Sequence, residues 1–303
     1  MRKIFITTDS TAEVIDEFIK EFSLSVMRFS IYARSFCAPD GILPPDDMLD
    51  YVEKTEKSAK TVIVPHTQDY EDLFDDLAEK GDVVHISQGS VWSGAYKNAL
   101  TAAKNTMVKF RKSSVFVLDS RGTATGQALV LDSAIAEKSK GSDAAEIFAL
   151  CDDVAARTER FFILPDAKRF NKIFPSSSGS IAESAQKVVL ALFDSDGKPL
   201  TPKKCSSIAT ACKTIAEAYV SDGNGYPCYV YGSAQSDPLI RTVSALRKRG
   251  VTDIRMSSMG AADCCLLGKD AVSVAFIGKP PTSEQKQPDF LGKDTDFFTP
   301  EED

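Results

Sequence analysis

Short apolar runs, each followed by a polar loop and then a helical pattern, recur along the first half of the chain. They are centred on Ile4–Thr7, Thr61–Val64, Val83–Ile86 and Val115–Leu118. The runs are apolar throughout instead of alternating, which is typical of strands covered on both faces. Four such units predict a parallel sheet with helices on both faces. The loops that follow its strands then share one edge, which is where open α/β sheets bind ligands.

The pattern changes after a helix predicted over Asp143–Thr158. Apolar runs flank Asp196-Gly197, which predicts a β-hairpin, and further strands alternate irregularly with helices after it. A chain of 303 residues also exceeds one typical domain. We therefore predict an N-terminal α/β domain over residues 1–160, a C-terminal α+β domain over 161–279 and an acidic tail over 280–303.

Composition disfavours several classes of partner. The formal net charge is −7 and no stripe of Lys or Arg is present, which argues against nucleic acid and anionic membranes. The seven Cys are scattered without C-x-x-C spacing, so neither a zinc site nor a disulfide framework is expected. The apolar stretch before Asp9 is too short for a secretory signal, and no run approaches the ~18 apolar residues of a membrane span. These features predict a cytoplasmic protein.

One strand–loop–helix junction, Val83–Ala99, has the residues of an anion site. The first turn of a helix carries unpartnered N–H groups and partial positive charge. Hydroxyl groups of Ser90 and Ser93 add donors, and Gly89 and Gly94 permit close backbone approach. The alternative is that Ser90 or Ser93 only caps the helix.

Other polar residues have a structural interpretation. We expect Asp9, Ser10 and Thr11 to cap a helix and support the loops instead of contacting a ligand. His85 lies in an apolar run and is expected in the core, and Trp92 is expected in the core or in the wall of a binding tunnel.

Four motifs taken together resemble the DegV family. They are, in order along residues 1–278, Asp9-Ser-Thr-Ala12, Ser90-x-x-Ser93-Gly-Ala-Tyr96, Val117-Leu-Asp-Ser120 and Asp196-Gly197. The resemblance implies a two-domain α/β protein of bacterial type. Such a protein binds one long-chain fatty acid between its domains and performs no chemistry. No metal or other cofactor is expected, and some family members present the acyl carboxylate to a fatty acid kinase.

The resemblance also implies which residues contact the ligand. Ser90, Ser93 and the backbone N–H groups of Gly94 and Ala95 match the family's head-group loop, in which Ala95 replaces Thr. A second family loop, Thr-Ser-Gln-Pro-Ser, aligns its Thr with an apolar residue, so that only Thr61, one residue away, could replace it.

Three other motifs have lost their functional residues. The segment Arg169–Pro175 lacks the glycines and arginine of Tyr-Leu-x-x-Gly-Gly-Arg, and Leu266–Asp270 lacks the histidine of His-x-Gly-Pro-Gly. Ser206 occupies the position of the arginine that faces the kinase. A carboxylate buried with few donors is costly. We therefore expect this pocket to bind a free acid less well, or to hold a neutral lipid.

Two alternatives are distinct from lipid binding. The chain is a diverged scaffold if bulky side chains such as Trp92, Phe170 or Phe174 fill the slot. It is a phosphoryl-transfer enzyme if the loops at Asp9, Ser90 and Asp119 bind phosphate, although the sequence has no P-loop spacing, Ser-His-Asp arrangement or metal-ligand cluster.

Overall fold

The computed structural model describes residues 2–33, 36–42, 60–175, 188–223, 225–234 and 236–279. Three sequence predictions lie outside these residues: a helix from Pro45 to Val52, a loop and helix over residues 176–186, and the acidic tail.

The described strands form three sheets. In chain order they are β1 (Lys3–Asp9), β2 (Ser25–Met27), β3 (Ser30–Ala33), β4 (Phe36–Pro39), β5 (Lys60–Ile63), β6 (Gly81–Ser87), β7 (Val115–Asp119), β8 (Thr158–Leu164), β9 (Val188–Leu192), β10 (Lys203–Cys205), β11 (Cys228–Gly232), β12 (Ile254–Ser258) and β13 (Val272–Ile277).

The described helices are numbered in the same way. They are α1 (Asp16–Phe22), α2 (Thr67–Ala78), α3 (Ala95–Lys109), α4 (Thr125–Ser139), α5 (Ala144–Arg157), α6 (Ala167–Ile173), α7 (Ile208–Asp222), α8 (Asp237–Lys248) and α9 (Ala261–Leu267).

The N-terminal sheet is parallel, with strand order β2-β1-β6-β7. Both faces are covered, because Val83 and Val84 are adjacent on β6 and each is fully buried. Val83 packs with α2 and α3, whereas Val84 packs with α1, α4 and α5. This arrangement confirms the predicted parallel sheet with helices on both faces.

The run Thr61–Val64 was expected in this sheet, and that expectation is wrong. It forms most of β5, which pairs antiparallel with β3 in a separate three-stranded sheet, β4-β3-β5. The short strand β2 occupies the fourth place in the parallel sheet instead. The reason is burial: Ile63 is 36% exposed, so β5 does not need cover on both faces. Periodicity in a four-residue run does not specify its partner strand.

The C-terminal sheet has six strands in the order β10-β9-β8-β13-β11-β12. Only β11 and β12 pair in parallel; the other neighbours are antiparallel. The predicted hairpin forms between β9 and β10, and Gly197 adopts φ +76° in its turn. Helices α7 and α8 cover one face. This mixed sheet matches the predicted α+β class, while the division at residue 160 stays a prediction.

Helix α4 lies between the N-terminal and C-terminal sheets. All of its residues from Thr125 to Glu137 are buried. Its apolar residues share one core cluster with Ile6 of β1 and with Tyr229 of β11. A helix surrounded by protein on every side must satisfy its polar groups internally.

The buried carboxylate of Asp132 on α4 is paired across this interface. Arg255 Nη1 on β12 donates to Asp132 Oδ2 at 2.5 Å, and the hydroxyl of Tyr229 donates to the same oxygen. The ion pair is nearly inaccessible, with side-chain exposures of 6% for Arg255 and 0% for Asp132. It therefore attaches α4 to the C-terminal sheet by a charge contact that water does not screen.

We expect Asp132→Asn to lower the free energy of unfolding by about 3–5 kcal/mol, because it leaves the Arg255 guanidinium buried without a counter-charge. Urea unfolding followed by circular dichroism measures the change. The matched control is Asp237→Asn, which breaks the exposed pair with Arg241 and should leave the midpoint unchanged. Equal midpoints for both variants would contradict a stabilising role for the Asp132 pair.

Candidate functional site

The loop between β6 and α3 holds three of the five predicted site residues, and Ala95, the fourth, is the first residue of α3. Ser90 is exposed, and its backbone N–H donates to Asp119 Oδ1 at 3.1 Å. The hydroxyl of Ser93 donates to Gln88 Oε1 at 2.6 Å and accepts from the N–H of Ala95 at 3.2 Å. A Cβ built on Gly94 meets no atom within 4 Å. The loop thus combines an open helix start with one hydroxyl, that of Ser93, held by protein contacts.

Thr61, the fifth predicted residue, is paired through its backbone with Tyr32 of β3. Its side chain lies outside the described residues, so its role in binding stays a prediction. The segment after β5 reaches α3, since Asn98 Nδ2 donates to the carbonyl of Pro65 at 2.9 Å.

A buried carboxylate, Asp9, supports the β6–α3 loop from below. Its Oδ1 accepts from the Tyr70 hydroxyl at 2.7 Å, and its Oδ2 accepts from Ser87 Oγ at 3.0 Å and Gln88 N at 2.7 Å. Burial and the Asp9 charge raise the pKa of Tyr70, so this hydroxyl keeps its proton and donates. Asp9 makes no side-chain cap, so the capping expectation is wrong for it, whereas it does support the loop.

The other two residues grouped with Asp9 also make internal contacts. Ser10 Oγ accepts from Phe29 N at 3.1 Å, and Thr11 Oγ1 donates to Gln127 Oε1 at 2.8 Å. His85 is fully buried, with Nδ1 2.9 Å from Thr7 Oγ1.

A chain of side-chain hydrogen bonds connects Ser93 with the C-terminal sheet region. Ser93 donates to Gln88, Gln88 Nε2 donates to Thr123 Oγ1 at 2.9 Å, and Thr123 Oγ1 donates to Asp263 Oδ1 at 3.0 Å. Gln88 and Thr123 are 2% and 0% exposed, so little water competes for these bonds. Position and orientation of the Ser93 hydroxyl therefore depend on α9, which carries Asp263.

Three buried carboxyl groups, those of Glu13, Asp40 and Asp263, meet at the first turn of α9. Ala262 N donates to Asp40 Oδ1 at 3.1 Å, and a Cβ on Gly260 would lie 2.1 Å from Glu13 Oε2, so a larger residue there would displace the Glu13 carboxyl group. Burial raises the pKa of all three groups, and that of Asp263 reaches about 7. The neighbouring carboxylates add repulsion. The interface therefore gathers three carboxyl groups that keep their protons to a higher pH than exposed carboxyl groups do.

Sequence reasoning missed Gln88, Thr123 and these carboxyl groups. Asp263 had a visible signal, because it interrupts the apolar run Ala261-Ala-Asp-Cys-Cys-Leu-Leu267. Glu13 had none, since its approach to Gly260 depends on a left-handed backbone conformation (φ 59°) and on tertiary contact.

Buried Arg160 on β8 holds the loop between β7 and α4. Its guanidinium donates to the carbonyls of Ser120 at 2.9 Å, Thr158 at 2.7 Å and Ala155 at 2.5 Å. Burial lowers its pKa to about 9. The same loop supports the predicted site, because Gly89 N donates to the carbonyl of Gly122 at 2.7 Å.

An aromatic cluster joins the β6–α3 loop to the inner face of the C-terminal sheet. The ring centroid of Trp92 lies 5.0 Å from that of Phe162, 5.0 Å from that of Phe174 and 5.4 Å from that of Phe193. The centroids of Phe170 and Phe174 are 5.4 Å apart. We call these five side chains the aromatic cluster. Leu164, Ala167 and Leu267 belong to the same apolar core. A tunnel-wall or core position was expected for Trp92, and this contact set matches it.

Two general features bear on the kind of ligand. Among the side chains that are described, no three of His, Cys, Asp or Glu are arranged to hold a metal ion. None of the described helices is long and apolar enough to cross a bilayer.

We expect the protein to lose stability as the pH rises from about 4, near the ordinary pKa of an aspartic acid, to about 7, the folded-state pKa of Asp263. Groups with a raised pKa stabilise the folded state while protonated, and this contribution is lost as the pH passes their folded-state pKa, about 7 for Asp263. Thermal midpoints at several pH values measure the effect. Asp263→Asn should flatten the slope, and Asp196→Asn in the exposed hairpin turn should keep it. An unchanged slope in Asp263→Asn would contradict the assignment.

Comparison with known proteins identifies the family. A family model described as "Uncharacterised protein, DegV family" matches residues 3–279. The DegV domain-containing protein YteA of Lactococcus lactis is 18% identical and aligns with 90% of this chain and 97% of its own.

Two solved structures have the same fold. SAG1342 of Streptococcus agalactiae, a fatty acid binding DegV family protein, is 20% identical with TM-score 0.80 and covers 92% of this chain and 100% of its own. A DegV family protein of Eubacterium eligens, loaded with heptadecanoic acid, is 16% identical with TM-score 0.78, covering 91% and 100%. The chain belongs to the DegV family.

Proposed function

We propose that this protein binds one long-chain acyl ligand, a fatty acid or a related lipid, between its two predicted domains, and that it acts as a carrier instead of an enzyme. The acyl chain lies against the aromatic cluster, and its head group lies at the β6–α3 loop. Ser90, Ser93 and the backbone of Gly94 and Ala95 surround the head group, with Thr61 as a further candidate.

One observation carries this proposal: Trp92 belongs to both parts of the site. It is a residue of the β6–α3 loop, and its ring packs on Phe162, Phe174 and Phe193. A polar helix start beside an apolar aromatic cluster has the two halves that an amphiphile requires. The open space beside Gly94 allows a head group to approach the start of α3.

The comparisons support the same ligand class. The relative from Eubacterium eligens holds heptadecanoic acid, and SAG1342 is described as fatty acid binding. The alignment with this chain extends over the full length of both structures.

Carboxylates at the loops argue against a phosphoryl-transfer enzyme. Asp9 already accepts a hydrogen bond from the N–H of Gln88. Asp119 accepts from the N–H groups of Ser90 and Arg121. Their negative charge opposes a phosphate at the same N–H groups. The predicted use of these loops for catalysis therefore has no support in their contacts.

Presentation to a fatty acid kinase is the finer part of the proposal. Ser206, at the position of the family's kinase-facing arginine, pairs with Thr210 Oγ1 at 3.0 Å beside the start of α7. A serine cannot replace the bidentate charge of arginine, so any kinase partner must recognise this chain through other residues.

A scaffold without ligand is the second candidate function. Trp92, Phe170 and Phe174 were expected to fill the slot in that case, and all three belong to the aromatic cluster. The two candidates differ in whether this cluster opens for an acyl chain.

Trp92 is the single tryptophan of the chain, so its emission reports directly on the site. We expect native mass spectra of protein purified from bacteria to show an acyl species bound to each chain. After delipidation, palmitic-chain ligands should change Trp92 emission saturably, and butyric-chain ligands should not.

Phe193→Ala should weaken binding of the palmitic-chain ligand by about tenfold or more, since it removes one ring of the aromatic cluster. Phe148→Ala is the matched control, because its contact with Phe116 lies on the α5 side of the N-terminal sheet. No bound species and no change in emission with a free acid, an ester or an alcohol would reject lipid binding in favour of the scaffold.

A further inference from the structure

The indole N–H of Trp92 is buried and has no hydrogen-bond partner among the described residues. A buried donor without an acceptor costs free energy, and native structures rarely keep one without a reason. Aromatic rings surround this indole at 5.0–5.4 Å, and rings offer no strong acceptor. The indole N–H of Trp92 is therefore a free donor where the β6–α3 loop meets the aromatic cluster.

Three donors near the start of α3 are already engaged. The Ser93 hydroxyl gives its proton to Gln88, and the N–H of Ala95 is used by Ser93 Oγ. The N–H of Ser90 is used by Asp119. Trp92 Nε1–H is a donor that a ligand can use without disturbing these bonds.

The charge around the loop disfavours a second negative group. Asp119 accepts a hydrogen bond from the N–H of Ser90, and Asp9 accepts one from the N–H of Gln88. A free carboxylate placed at this loop would be repelled by these two carboxylates.

The nearest cations are committed elsewhere. Arg160 donates to three backbone carbonyls, and Arg121 is paired with Asp152 at 2.6 Å. Arg169 donates to the carbonyls of Cys265 and Leu266 at the end of α9. These three guanidinium groups are therefore already engaged within the protein, and none of them is left to pair with a ligand carboxylate.

We propose that Trp92 Nε1–H is a head-group donor and that the ligand it selects is a long-chain acyl lipid whose head is an uncharged oxygen acceptor, as in a fatty ester or a fatty alcohol. This inference rests on the proposed acyl site. A neutral indole offers one proton, which suits one ester carbonyl or one hydroxyl oxygen. A carboxylate has two charged oxygens and is stabilised by several donors or by a cation.

Ligands with the same palmitic chain and different heads test the proposal. Isothermal titration of delipidated protein at neutral pH compares palmitic acid, 1-monopalmitoylglycerol and hexadecanol. We expect the two uncharged ligands to bind more tightly than the acid. Trp92→Phe keeps a ring but removes the N–H, and it should weaken the uncharged ligands by roughly threefold to tenfold more than it weakens the acid. Phe148→Leu, on the α5 side of the N-terminal sheet, should affect none of them.

A measurement on the unmodified protein covers the case in which Trp92→Phe folds poorly. One tryptophan gives one indole N–H resonance, and this resonance should move downfield when an uncharged ligand supplies an acceptor. Palmitic acid binding as tightly as the uncharged lipids, or an indole resonance unmoved by a bound ester, would overturn the selectivity and leave the acyl site standing. Failure of all three ligands to bind would overturn the acyl site itself.

Discussion

Burial of α4 between two sheets is the constraint on which the rest of the structure depends. Each polar side chain on this helix has to find a partner on one sheet or the other, because water is excluded. Thr125 lies 2.6 Å from Ser273, Gln127 donates to Thr8 at 3.1 Å, and Asp132 accepts from Arg255. Two of these contacts reach the C-terminal sheet and one reaches the N-terminal sheet. The helix thereby fixes the two sheets relative to each other.

The relative position of the sheets determines the candidate site. The β6–α3 loop belongs to one sheet, whereas the aromatic rings around Trp92 belong mainly to the other. Hydrogen bonds from Gln88 through Thr123 to Asp263 keep the loop in register with α9. Since each link is buried, a small displacement of α9 would change the orientation of the Ser93 hydroxyl. The predicted head-group loop and the contact between the two sheet regions are therefore parts of one hydrogen-bond network.

Acidic groups give this site a different character from a simple anion pocket. A helix start attracts negative charge, yet the carboxyl groups of Glu13, Asp40 and Asp263 lie close to the same interface. Their raised pKa values mean that the interface holds protons near neutral pH.

The sequence by itself determined the elements and the class of fold. Runs such as Val83–Ile86 are apolar throughout, and that pattern predicts buried parallel strands, so local composition was sufficient. The head-group loop was also visible, because its Ser and Gly residues are adjacent in the chain. Partners of short strands were not visible, and Thr61–Val64 was assigned to the wrong sheet for that reason.

Only the tertiary structure decided what surrounds the loop. Glu13, Asp40 and Asp263 are separated by tens to hundreds of residues, and no local pattern signals that they meet. The same holds for Trp92, whose ring contacts come from three distant segments of the C-terminal half. Local sequence specifies backbone preferences. Clusters of carboxyl groups, and buried donors without a partner such as the Trp92 indole N–H, arise from long-range packing. The fold class could therefore be predicted from the sequence, but the chemistry of the site depends on how α4 brings the two sheets together.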